Sequence, residues 1–153
     1  MGLLIKTPHP QLWVLSSPID IPLHLLAVHC WIVTKDRLGI INRWEVWHRP
    51  SVCKTSWGHV HQNLFPPETG IIKLPFFLKG KATWPASLIG HLDGDQAEFL
   101  GGFLLSKAKD YPEKDHYRYL GPNSNSFVQW VLNQLPEAQI RLPKKALGKN
   151  YFQ

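Results

Sequence analysis

What the sequence has least of is sulfur: two cysteines and one methionine in 153 residues. Cys30 and Cys53 are too few for a disulfide framework and are not spaced as Cys-x-x-Cys, so neither a secreted, stapled scaffold nor a dithiol redox centre is indicated. The reading that follows is a reduced, cytoplasmic protein. No apolar run reaches the roughly 18 residues that a membrane-spanning helix needs. The start Met1-Gly2-Leu3-Leu4-Ile5-Lys6 offers neither an apolar signal core nor a small-residue cleavage site, and Lys6 occupies the place where a myristoylation motif takes Ser or Thr. Acidic residues are also scarce, eleven Asp and Glu against seventeen Lys and Arg. They form no dense constellation, which disfavours glycosidase chemistry, and the absence of a Gly-rich phosphate loop or dinucleotide fingerprint disfavours nucleotide chemistry. No cofactor is implied.

The resulting formal charge of +6 suits an acidic partner, yet the basic residues are scattered and form no stripe, which argues against nucleic-acid binding. Their one local concentration, Arg141, Lys144, Lys145 and Lys149, reads as a solvated basic tail over 141–153, compatible with a phosphate-rich or membrane surface. With 44% hydrophobic residues, seven tryptophans and thirteen prolines, the chain is long enough for one domain with a substantial core and punctuated too often for a bundle of long helices. Trp44, Trp47, Trp57 and Trp84 are more indole than a small core readily hides, and part of that surface suits a binding face.

Along the chain, Pro8, Pro10, Pro18 and Pro22 mark residues 1–22 as an extended arm. Residues 23–92 read mainly as strands: 23–34, then 40–49 after the turn Lys35-Asp36-Arg37-Leu38-Gly39, then roughly 56–63, 71–79 and 87–92. In the second strand Trp44, Val46 and His48 share one face, and Glu45 and Trp47 the other. Two helices occupy 95–134. The first, 95–108, repeats Ala97, Leu100, Leu104, Leu105 and Ala108 at helical spacing; the second, 124–134, buries Phe127, Val128, Val131 and Leu132. Strands followed by helices predict an α+β domain, an antiparallel sheet with helices packed on one side.

The stretch Gly121-Pro122-Asn123-Ser124-Asn125-Ser126-Phe127 puts a hydroxyl, Ser124, at a helix N-terminus. The first N–H groups there are unpaired and partially positive, so a nucleophile or a developing oxyanion is stabilised. The same residues suit plain helix capping. His29, in the apolar run Ala27-Val28-His29-Cys30-Trp31-Ile32, is the candidate base, and equally a candidate hydrogen-bonded core histidine.

These two stretches, the strand Trp44-Glu45-Val46 and the closing Ala146-Leu147-Gly148-Lys149-Asn150-Tyr151 resemble a bacterial family of uncharacterised domains with Gly-Pro-Asn-Ser-Asn-x-Phe and Ala-Leu-Gly-Lys-Asn-Tyr signatures. More remotely, the order of strand histidine first and helix-start nucleophile last is similar to circularly permuted papain-like enzymes, the NlpC-type peptidases and lecithin:retinol acyltransferase-like proteins. Their Asn-Cys-x-x-Phe motif falls on Asn123 to Phe127, with Ser124 in place of the cysteine. The resemblance implies a permuted papain-like fold and two alternatives. One is a non-catalytic descendant whose cleft binds a ligand, a peptide or a protein partner, through Asn123, Asn125, Trp57, His59 and His61. The other is a serine-type hydrolase or acyltransferase with Ser124 as nucleophile, His29 as general base and Glu45 fixing its tautomer. A third reading, a metal held by His59 and His61 of Trp57-Gly58-His59-Val60-His61, rests on two ligands on one strand face without a recognised zinc spacing, and no metal is assigned.

Overall fold

Flanked by Pro10 and Pro18, the run Gln11-Leu12-Trp13-Val14-Leu15-Ser16-Ser17 is apolar enough to be buried on both faces, and it forms a central strand rather than part of an extended arm. The computed structural model describes residues 7–72 and 82–153. In it β1 (Gln11–Pro18) pairs antiparallel with β2 (Val28–Lys35) on one side and with β8 (Ser87–Asp93) on the other. The prolines end the strand instead of abolishing it, because each lies where a ladder donor is dispensable.

Between β2 and β8 run β3 (Ile41–Val46), β4 (Ser56–Trp57), β5 (Val60–Gln62), β6 (Thr69–Ile72) and β7 (Thr83–Pro85). A six-stranded antiparallel sheet has the order β4-β5-β3-β2-β1-β8, and β6 and β7 form a separate pair. The expected strand over 56–63 is in fact a tight hairpin, turned at Gly58 with a φ of 61°. The strand expected over 23–34 begins only at Val28, with a short 3-10 turn at Leu23–Leu25 ahead of it. Residues 73–79 of the fourth expected strand lie outside the described residues.

Two helices follow, α1 (Gly94–Lys107) and α2 (Ser124–Leu132). Both pack on one face of the sheet, where Ala97, Leu100, Leu104, Phe127, Val128, Val131 and Leu132 meet Leu12, Val14, Cys30, Ile32, Trp44 and Val46. Leu105, counted in the apolar stripe of α1 from the sequence, is exposed; it lies about 100° around the helix from Leu104 and so leaves the buried face. The opposite face of the sheet buries a smaller cluster of Trp13, Leu15, Trp31 and Val33. The molecule is therefore mixed α+β with an antiparallel sheet and both helices on the same side. No helix among the described residues is long and apolar enough to cross a membrane.

Candidate functional site

Strand alternation decides what the site contains. The last ladder pair between β2 and β3 is Ile32 with Trp44, so one residue further Trp31 lies opposite Glu45, on the face away from the helices. His29, Trp31, Arg43 and Glu45 therefore share that face. Glu45 is fully buried, and its Oε2 accepts a 2.8 Å hydrogen bond from His29 Nε2 and one of 2.9 Å from Arg43 Nη2. Arg43 Nε lies 2.7 Å from Glu45 Oε1. The guanidinium is itself buried, 4.2 Å above the Trp31 ring, and Nη1 donates to the carbonyls of Pro66 and Thr69. A buried charge persists only when paired and hydrogen-bonded, and here both ions are. Burial raises the Glu45 carboxyl, but the His29 hydrogen bond and the Arg43 charge outweigh it and hold the group below its ordinary value. Burial lowers Arg43 against the pull of Glu45.

A carboxylate only accepts, so Nε2 of His29 carries a proton, and in the neutral imidazole this leaves Nδ1 as the acceptor. Nδ1 makes no hydrogen bond among the described residues. His29 lines a cavity of about 260 Å³, together with Asp20, His48, Tyr117, Ser124 and Asn125 as polar groups and Ile19, Ile21, Leu23, Ile71 and Leu147 as apolar ones. Half-buried Trp47 also lines it, its ring edge-on to His29 at 5.6 Å. Asp20 is raised above the ordinary carboxylate value by burial, partly offset by His29.

Ser124 is held differently. Two residues beyond the Ile32–Trp44 pair, Cys30 would face Val46 in the ladder, but the strands part and the Ser124 hydroxyl takes the gap. Its Oγ–H donates to Cys30 O at 2.6 Å, and it accepts from Val46 N–H at 3.2 Å. The other ladder group of Cys30, its N–H, donates to Asn125 Oδ1 at 3.0 Å, while Asn125 Nδ2 donates to Val28 O and Leu147 O. The helix start thus replaces two backbone hydrogen bonds of a split sheet with side-chain ones, as buried backbone groups require. No hydrogen bond joins Ser124 to His29, although both line the cavity.

The cap of α2 is Asn123. Its Oδ1 accepts from the N–H of Asn125 and of Ser126, and Ser126 Oγ accepts in return from Asn123 N–H. Two of the first-turn donors available to an oxyanion are therefore already used. The closing segment locks onto this turn: Asn123 Nδ2 donates to Leu147 O, Ser126 Oγ–H to Gly148 O, and Val28 N–H to Lys145 O. The two sequence signatures are one hydrogen-bonded unit.

The remaining sequence candidates lie elsewhere. His61 is buried; its Nε2–H donates to Arg49 O and its Nδ1 accepts from Ser56 Oγ. His59 donates from Nδ1 to Trp47 O and stacks on Tyr117. Trp57 packs against the helix-side core. None of the three lines the cavity, and among the described residues no group of three or more His, Cys, Asp or Glu is placed to hold a metal ion. Cys30 is buried, which pushes its thiol up to about 12 and makes it inert at neutral pH. Sequence reasoning missed Arg43, Asp20 and the tyrosines of the cavity, whereas Trp47 was among the tryptophans expected at a binding face. For Arg43 a signal existed: it stands two residues before Glu45, so strand alternation puts the two charges on one face.

A family model described as "Protein of unknown function (DUF3750)" matches residues 14–151. The chain belongs to this family. The matched span takes in every strand from the middle of β1, both helices and the interlocked signatures, so what the DUF3750 model covers is the whole of the site just described. No curated protein and no solved structure matches the chain.

Proposed function

We propose that this DUF3750 domain is a ligand-binding descendant of the permuted papain-like fold, working in the bacterial cytoplasm, with Ser124 as a non-catalytic replacement of the nucleophile. The observation that carries this is the direction of the Ser124 proton, which goes to Cys30 O and not to an imidazole. A serine nucleophile needs its proton on the base and free N–H groups for the oxyanion, and Asn123 already occupies those of Asn125 and Ser126. What remains available to a ligand is His29 Nδ1, an acceptor oriented by Glu45, with Asp20 as a second acceptor and an apolar wall of Ile19, Ile21, Leu23 and Ile71. The fitting partner is a small molecule or peptide end that presents an amine, amide N–H or hydroxyl to His29 and an aliphatic group to that wall.

One observation favours the second reading, a serine-type hydrolase or acyltransferase: Ser124 and His29 border the same cavity beside a helix N-terminus. A fluorophosphonate probe separates the two. The expected outcome is an unlabelled parent protein, together with quenching of Trp47 by a panel of short aliphatic peptide amides that weakens about tenfold or more in His29→Gln, as expected for a lost buried hydrogen bond. Labelling of Ser124 that disappears in both Ser124→Ala and His29→Gln would establish the hydrolase instead.

A further inference from the structure

The cavity mouth is bordered by apolar side chains that stand in water. Leu23, Tyr119 and Leu147 line the cavity and are exposed, and the neighbours of the first two are more so: Leu25 and Leu26 at 67%, Leu120 at 77%. Leu120 and Leu147 also share a shallow depression with Lys144, Lys149 and Tyr151. These residues come from three separate turns, at 23–26, 119–120 and 147–151, brought together by the interlocked signatures. Single exposed leucines are ordinary; a cluster around one opening is not.

The charges beside this cluster are predominantly basic. Lys144 and Lys145 are exposed, and Lys145 is fixed next to the leucine turn because its carbonyl takes the Val28 N–H at 3.0 Å. Arg118, exposed, precedes Tyr119. One acidic residue, the exposed Asp20, also lines the opening, against three exposed cations. Short apolar prongs with a tyrosine among them and cations at their base suit the interface of an anionic bilayer: leucines enter the acyl boundary, tyrosine sits at headgroup level, and lysines meet lipid phosphates. The chain's net charge of +6 adds a long-range attraction of the same sign.

We propose that this rim docks on an anionic lipid bilayer, Leu25, Leu26, Tyr119 and Leu120 entering the interface and Lys144, Lys145 and Arg118 facing lipid phosphates, so that the cavity opens toward the membrane. Attachment of this kind is peripheral and reversible, and it is weakened by salt because part of it is Coulombic. It is independent of whether Ser124 is catalytic.

The experiment is flotation of the full chain with phosphatidylcholine vesicles, with and without a minority of phosphatidylglycerol. The protein is expected to float with the anionic vesicles and stay behind with the neutral ones. Leu25→Glu/Leu26→Glu should reduce the bound fraction about tenfold or more, and Lys144→Glu/Lys145→Glu should reduce it at low salt only, as insertion and screened charge respectively require. All four positions are exposed, so melting temperatures near the parent's confirm that the variants fold. Absence of flotation with anionic vesicles overturns the proposal, as does a leucine double variant that floats like the parent. Displacement from the vesicles by polyglutamate at equal charge would overturn it in favour of an acidic polypeptide. The Trp47 titration is performed without vesicles, so its outcome and this one are separate.

Discussion

At the start of α2 the capping is done by Asn123, one position before Ser124. The Ser124 hydroxyl bridges β2 and β3 in place of a ladder bond. Its removal therefore strands two buried backbone groups, Cys30 C=O and Val46 N–H, each worth about 1–3 kcal/mol when left unpaired. Ser124→Ala is expected to lose at least about 2 kcal/mol, roughly 4–8 °C in melting temperature for a domain of this size. A cap alone would be worth about 1 kcal/mol. Differential scanning calorimetry measures the difference, and a variant as stable as its parent would show that the bridge contributes nothing. The sequence could not announce this role, because hydrogen bonds to Cys30 and Val46 span 94 and 78 residues of chain. By contrast, the partnership of His29 with Glu45 was readable from their residue types and from neighbouring strands, and the structure places them 2.8 Å apart.

At the scale of elements, the turn before α2 and the closing segment are fastened to each other at Gly148. Its φ of 86° is in the left-handed region, and an added Cβ would stand 2.7 Å from Asn123 Nδ2 and 3.0 Å from Gly121 Cα. Gly39 has a similar φ of 81° with open space around it, which makes it the internal control. Gly39→Ala should cost only the backbone strain, about 1 kcal/mol. Gly148→Ala should cost at least about 1 kcal/mol more, because the cap amide that holds Leu147 O must move. Chemical denaturation of the two variants gives the difference directly, and hydrogen exchange should show the extra loss at the start of α2; equal costs would mean that the two signatures are not energetically joined. Elements with their own periodicity, α1, α2, β3 and β8, were legible within a few residues. The 11–18 strand was not, because four prolines in the first 22 residues obscure a run whose burial depends on β2 and β8 flanking it. The split of β2 from β3 was equally hidden, since it depends on a helix that arrives about ninety residues later.

For the whole molecule, the decisive quantity is the charge buried between the sheet and the segment 63–69. Arg43 and Glu45 are both withdrawn from water, and Arg43 reaches two carbonyls of that segment, so the ion pair ties the sheet to the loop that covers its far face. Replacing one member leaves the other as an uncompensated charge at a cost of about 3–5 kcal/mol. Glu45 titrates below its ordinary value of 4.5 in the fold. The unfolded chain therefore binds more protons in that range, and the stability Glu45 contributes is fully present above the ordinary value and is lost as pH falls through the folded one. His48 and His61 act in the same direction: burial lowers both below their ordinary 6.5, so their contribution is present above that value and declines as the solution is acidified past it. The expected profile is a plateau of stability at neutral pH, a shallow decline beginning below about 6.5 and a steeper one below about 4.5. Urea denaturation across that range measures it. In Glu45→Gln the plateau should drop by the cost of the orphaned guanidinium and the steeper decline should flatten, since the group that titrates there is gone. A profile that keeps its full acid limb in Glu45→Gln would assign that limb to other carboxylates and remove the buried pair from its place at the centre of the fold's pH dependence.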